Sequence, residues 1–293
     1  MYLLLPLLAA IAFAAGSLVF KRAFAEGATL GHAVVLNNVV LGLAFLPLLA
    51  LDPFPVKWSL LHQPAMAALA FVIGHFLHVL SLRLGDVSLA TPLLGAKTVF
   101  VTLLAWFLFG WPLSTAQWAA AGLTTAGVLV MGLTDFRPGR SPGRTTALAL
   151  GCAAAFAFTD VLIQHWAADV GVLNFLALMF AALALLSLGA LPWLGPAELR
   201  APAAAWPWIG GAIALSAVQA VLITWAIGRW RDAAGVNVVY GTRGLWSLAL
   251  VWWAGRWFGN KERADAGRRV IIARLIGAVL LLAAVGLAMG AAK

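Results

Sequence analysis

Apolar residues fall into ten long blocks along the chain, and polar residues gather in the short gaps between them. An α-helix needs about 20 apolar residues to cross a hydrocarbon core about 30 Å thick. On that rule the blocks predict helices at 2–20, 32–51, 64–82, 87–109, 116–134, 146–168, 172–194, 203–228, 233–258 and 270–290. The gaps carry turn and polar chemistry, as in Asp52-Pro53-Phe54-Pro55, Gly85-Asp86, Gly110-Trp111-Pro112, Asp135 to Arg144, Gly195-Pro196 and Gly259-Asn260-Lys261-Glu262. The block that starts at Tyr2 has no basic stretch before it and lasts a full span, so it reads as a first transmembrane helix rather than a cleavable signal.

The expected fold is therefore an all-α integral membrane protein of ten transmembrane helices arranged as two inverted five-helix repeats. Its single transmembrane domain, 1–293, divides into a first repeat over 1–135, a linker loop over 136–145 and a second repeat over 146–293. The repeat is visible in the residues. Arg83-Leu84-Gly85-Asp86 recurs as Arg229-Trp230-Arg231-Asp232, Gly95 recurs as Gly241, and Lys97 is matched by Arg243, all at a spacing of 146. Because each half holds an odd number of spans, the second enters the bilayer upside down, the layout of many secondary transporters.

Composition agrees with a lipid solvent: 63% of the 293 residues are hydrophobic and 10% charged, with a mean hydropathy of +0.99. Soluble domains run nearer half apolar and a quarter charged. The net charge of +9 is scattered through short loops and forms no groove-sized patch, which argues against a nucleic-acid partner. Loops on the side opposite the termini hold twelve Lys and Arg and the terminal side four, so the positive-inside rule places both termini outside. The lone cysteine, Cys152, sits in an apolar run and reads as a packing residue.

Ionisable residues inside apolar spans are functional candidates, because a charge at the bilayer centre costs at least about 2.5 to 3.5 kcal/mol. Lys97 and Arg243 each lie eleven residues past a loop aspartate, about 16 Å at the helical rise and so near the midplane. Asp160 lies equally deep in the sixth helix. Two cations against one anion leave a net positive interior, which an anionic substrate would neutralise. The competing reading is a structural ion-pair network in which Asp160 neutralises one cation. Asn237, Tyr240 and Arg243 step by three along the ninth helix, Ser216 and Gln219 do so along the eighth, and Asn37 and Asn38 add amides in the second. These are expected substrate-binding residues, with Lys97 and Arg243 as a two-point clamp for a negative group. Interhelical hydrogen bonding is the alternative for each amide. His75 and His78 share a face of the third helix and, with Asp160, are candidate proton-coupling groups, the competing reading for each histidine being a buried one satisfied by hydrogen bonds. No Cys or carboxylate accompanies them, so no metal site is expected.

The run Ser81-Leu82-Arg83-Leu84-Gly85-Asp86-Val87-Ser88-Leu89-Ala90-Thr91-Pro92-Leu93, followed by Gln117-Trp118-Ala119-Ala120-Ala121-Gly122 and Gly127-Val128, resembles the third to fifth helices of the EamA-like branch of the drug/metabolite transporter superfamily. The chain departs from the family where Phe109-Gly110-Trp111-Pro112 replaces the usual acidic residue after the fourth helix, while Glu262 keeps a counterpart after the ninth. The resemblance implies a secondary transporter or exchanger with a central cavity, in a bacterial cytoplasmic (inner) membrane. It also implies cytoplasmic termini, against the charge bias; we follow the bias because it is read from these residues.

Four functions fit: a carrier of a small anionic metabolite bearing phosphate or carboxylate, an exporter of amino acids or other neutral metabolites, a flippase of an anionic lipid, and a membrane-embedded enzyme. The last lacks a paired-carboxylate, HExxH-like or Ser/His/Asp constellation, so no catalytic residue is expected. No GxxxxGK[ST] motif is present and no cofactor is expected, which leaves a gradient or exchange as the driving force. The expected partners are a small-molecule substrate and the lipid bilayer.

Overall fold

A computed structural model describes residues 4–85, 87–110, 114–133, 142–193, 198, 200–258 and 268–290. Asp86, Trp111 and Pro112, Asp135 with the linker up to residue 141, Gly195-Pro196 and Glu262 lie outside the described residues. Helix is the only regular structure among those described, and the helices are apolar. Six are long and apolar enough to cross a membrane: Leu4–Ala25, Gly31–Ala50, Trp58–Leu84, Gly143–Val170, Val172–Gly189 and Ala203–Trp230. The chain is a multi-pass membrane protein.

We label the α-helices α1 (Leu4–Ala25), α2 (Asn37–Phe45), α3 (His62–Leu84), α4 (Val87–Leu93), α5 (Lys97–Phe109), α6 (Thr115–Leu133), α7 (Pro142–Val170), α8 (Val172–Gly189), α9 (Trp206–Trp230), α10 (Ala233–Tyr240), α11 (Arg243–Ala254) and α12 (Arg268–Gly290). The second span is continuous around α2, with a π-helical turn at Gly31–Leu36 before it and a 3-10 turn at Leu46–Ala50 after it. The fourth and ninth expected spans differ from the reading of the sequence in an informative way. The fourth is broken into α4 and α5 by a tight turn at Leu94–Ala96, and the ninth is broken into α10 and α11 at Gly241-Thr242. A glycine sits in each break, and Lys97 and Arg243 open the second half-helices.

A break in mid-membrane frees backbone groups that lipid cannot satisfy. Here each break is held by the other. Arg243 donates to the Leu94 carbonyl, and the Thr98 hydroxyl donates to the Asn237 carbonyl at 3.3 Å.

Packing follows an exchanged pattern. α1 lies along α9 and α3 along α7; α1 meets α11 and α5 meets α7; α2 pairs with α8 and α6 with α12. The span around α2 and the helix α8 are clasped at both ends. Asp52, just after the second span, accepts from the Asn174 backbone N–H at 3.0 Å, and the Asn174 amide donates to the Phe54 carbonyl at 2.9 Å. At the other end Glu198, which follows α8, accepts from the Gly31 N–H at 3.3 Å, and the Thr29 hydroxyl donates to the Glu198 carbonyl at 2.5 Å. A side chain at position 31 would put its Cβ 2.3 Å from that carbonyl oxygen, so only glycine allows the approach. A loop carboxylate thus caps the start of the opposite helix at each end.

Candidate functional site

The three charged residues singled out in the sequence are all buried: Arg243 is 2% exposed, Asp160 4% and Lys97 5%. The structure gives the two cations different surroundings. Lys97 Nζ stands 2.5 Å from Asp160 Oδ2, an ion pair between α5 and α7. Asn237 of α10 donates its amide to the same carboxylate oxygen at 2.5 Å and to the Ala233 carbonyl at 2.8 Å. The Asp160 charge is therefore met by one cation and one amide.

Arg243 has no acidic partner among the described residues. Its guanidinium lies 4.3 Å from the ring centre of Tyr240 and 5.0 Å from that of Phe13, and it donates to the Leu94 carbonyl. Two aromatic faces and one carbonyl are weak neutralisers, with a desolvated cation–π contact worth about 2 kcal/mol. Lys97 Nζ is likewise 5.7 Å from the ring of Phe156 and 5.6 Å from that of Tyr240. The Tyr240 ring is thus close to both cations, its nearness to Arg243 being what the three-residue step suggested.

The amides and histidines form a second group. Asn38 and His75 share a hydrogen bond of 2.6 Å between Oδ1 and Nδ1, and the Asn38 amide donates to the Ser187 hydroxyl at 2.9 Å. Asn37 donates to Asn38 at 3.4 Å. These contacts join the second, third and seventh spans. His78 packs its ring 4.8 Å from that of Phe13.

Between α1, α3, α7 and α9 runs a narrow cavity of about 30 Å³, lined on its polar side by Ser17, His75, His78, Ser216 and Gln219. That is room for about one or two waters. Phe13, Phe20, Phe71 and Phe156 form its apolar walls. Gln219 and the two histidines thus reach the cavity, while the ion pair, Tyr240 and Arg243 stand behind the rings of Phe13 and Phe156. Phe156 is held against α3 because position 74 is glycine: a Cβ there would lie 2.8 Å from the ring.

Sequence reasoning missed Phe13, Phe156 and Ser17. Two are apolar residues in apolar runs, and one hydroxyl carries little signal, so only their depth relative to the cations could have marked them.

The sequence model of the EamA-like transporter family matches residues 1–133. No curated protein matches the chain. A solved protein crystal structure is similar over 98% of this chain and 96% of that one, with a TM-score of 0.68 and 19% identity, a likeness that shows the fold.

Proposed function

We propose, from the premise that residues 1–133 belong to the EamA-like transporter family of the drug/metabolite transporter superfamily, that this chain is a secondary transporter or exchanger of a small anionic metabolite. The observation that carries the reading is Arg243: a guanidinium 2% exposed, inside an apolar bundle, with no carboxylate beside it among the described residues. Lys97 and Asp160 cancel formally, and no described carboxylate does the same for Arg243. A phosphate or carboxylate bound there would neutralise it, and the planar fork of arginine suits either group.

In this reading the ten segments form two inverted five-helix repeats. Support comes from the exchanged packing of α1 on α9 and α3 on α7 and from the paired breaks at Gly95 and Gly241. The cavity is too small for a metabolite, so substrate entry requires the Phe13 and Phe156 walls to part. His75, His78 and Gln219 then line the route, and Lys97, Asp160, Asn237 and Tyr240 complete the inner shell.

The test is a thermal-shift screen of metabolite pools on detergent-purified protein, followed by uptake of each ligand found into proteoliposomes. Binding to the folded state raises apparent stability by mass action. Anionic ligands should dominate; a screen that returns only neutral or cationic ligands, transported at normal rates, would sink the anionic reading.

Orientation is a separate prediction. Single cysteines placed in the 256–269 loop, in a chain whose buried Cys152 is replaced, should be shielded from a membrane-impermeant thiol reagent in intact cells, because the twelve-to-four bias puts that loop in the cytoplasm. Ready labelling from outside would reverse the topology.

A further inference from the structure

Phe13 and Phe156 both line the cavity, and each covers a cation of the other half of the chain. Phe13 of α1 lies under Arg243, and Phe156 of α7 lies under Lys97. The two phenylalanines are 143 residues apart and the two cations 146. The same two spacings recur in the end clasps: the capped amides Gly31 and Asn174 are 143 apart, and the capping carboxylates Asp52 and Glu198 are 146 apart. Burial repeats in step too, with Ala9, Ala10, Ala14 and Leu18 buried in α1 as Cys152, Ala153, Ala157 and Val161 are in α7. These matches fix which residue of α1 corresponds to which residue of α7.

On that correspondence the partner of Asp160 is Ser17. Each follows its phenylalanine by four residues, one helical turn on. Asp160 neutralises Lys97, whereas the Ser17 hydroxyl donates to the Phe13 carbonyl of its own helix at 2.9 Å and brings no charge to Arg243. The halves are alike in frame and unlike at this position.

We propose that the solute's anionic oxygen group sits beside Arg243 and Ser17, in the place that the carboxylate of Asp160 occupies beside Lys97. Phe13 is the partition: it lines the cavity that Ser17 also lines, while Arg243 lies behind its ring, so the ring must swing aside for the anion to arrive. The proposal deepens the transport reading above and rests on it. It narrows the clamp expected from the sequence, since Arg243 receives the ligand while Lys97 stays paired with Asp160.

The test uses the full chain in neutral detergent, melted alone and with inorganic phosphate, acetate or short-chain phosphatidylglycerol at constant ionic strength. Ser17→Asp should supply Arg243 with a built-in counter-charge. The variant is expected to melt about 2 to 4 °C above the wild type when no anion is added, and Ser17→Asn should show no such gain. The gain should vanish when Arg243→Gln is added. The anion-induced shift seen in the wild type should need at least about tenfold more anion in Ser17→Asp, one charge-assisted contact being worth that factor or more. The arm that shifts the wild type identifies the source: phosphate or acetate a soluble anion, phosphatidylglycerol a lipid headgroup.

No gain from Ser17→Asp, or failure of that variant to fold while Ser17→Asn folds, overturns the seat, because Arg243 then does not reach it. A gain with an undiminished anion shift overturns the seat and leaves the transport reading standing. No shift by any of the three anions in the wild type overturns both. Should neither Ser17 variant fold, Asp160→Ser decides: it puts the serine of α1 beside Lys97, and its melting temperature should rise more steeply with phosphate than the wild type's. An equal or shallower rise overturns the proposal.

Discussion

Asp160→Ala is expected to destabilise the folded protein by about 3 to 5 kcal/mol, the cost of leaving one member of a buried ion pair without its partner. Lys97 is 5% exposed and stands 2.5 Å from Asp160 in an apolar helix bundle, so loss of the carboxylate leaves the ammonium buried without a counter-charge. Asn237 would lose the same acceptor and keep only the Ala233 carbonyl. The double change Asp160→Leu with Lys97→Met should restore most of the loss, since apolar groups of similar volume can replace a buried pair at little cost. Thermal melting of the single and double variants in detergent measures both halves of this expectation. If Asp160→Ala melts with the wild type, Lys97 is not dependent on that carboxylate, and the ion pair is not what joins α5 to α7.

Arg243→Lys is expected to weaken binding of a phosphate- or carboxylate-bearing ligand by about ten- to a hundredfold, the loss of one charge-assisted contact of about 1.5 to 3 kcal/mol. The charge survives this substitution, and what disappears is geometry. The guanidinium sits over the rings of Tyr240 and Phe13 while it donates to the Leu94 carbonyl. A planar fork does all of this with donors left for an anion; an ammonium has neither the flat face nor the spread. Arg243→Ala should lose at least as much, and it should also loosen the α4–α5 break that Arg243 braces. Uptake and binding in proteoliposomes, with the ligand found by thermal shift, separate these effects. Wild-type transport by both folded variants would make Arg243 a brace alone.

Much of the architecture is legible in the sequence, because lipid imposes a length rule that shows directly in it. The block from residue 64 to 82 appears as α3, His62–Leu84, and the block from 203 to 228 as α9, Trp206–Trp230. The breaks in the fourth and ninth spans were not legible. Gly95 and Gly241 could be seen, but glycine is common inside transmembrane helices, and the contact that makes these two positions breaks is long-range: Arg243 reaches across 149 residues of sequence to the Leu94 carbonyl. The cations announced themselves by charge in an apolar run. Their unequal partners did not, since Asp160 reads equally well as the counter-ion of either. Asn38 and His75 were each marked by polarity, and their bond to one another depends on how the second span meets the third.

The clasps at the two ends of the α2–α8 pair are of one kind but not of one strength. The Asp52 end has the shorter cap, at 3.0 Å, and an amide from Asn174 to Phe54. Among the described residues the Glu198 end has a 3.3 Å cap and one hydroxyl. If the Glu198 end opens at lower cost, an empty carrier of the kind proposed above would spend more of its time facing that side, which the charge bias makes the cytoplasm. Such an imbalance cannot drive net flux, because any ligand shifts a conformational equilibrium only by its differential affinity for the two forms. What it does set is apparent affinity: a solute arriving on the favoured side meets a larger binding-competent fraction. Loading at low cytoplasmic concentrations and release into a less receptive exterior would then be a property of two capped helix ends, with the gradient alone deciding the sign.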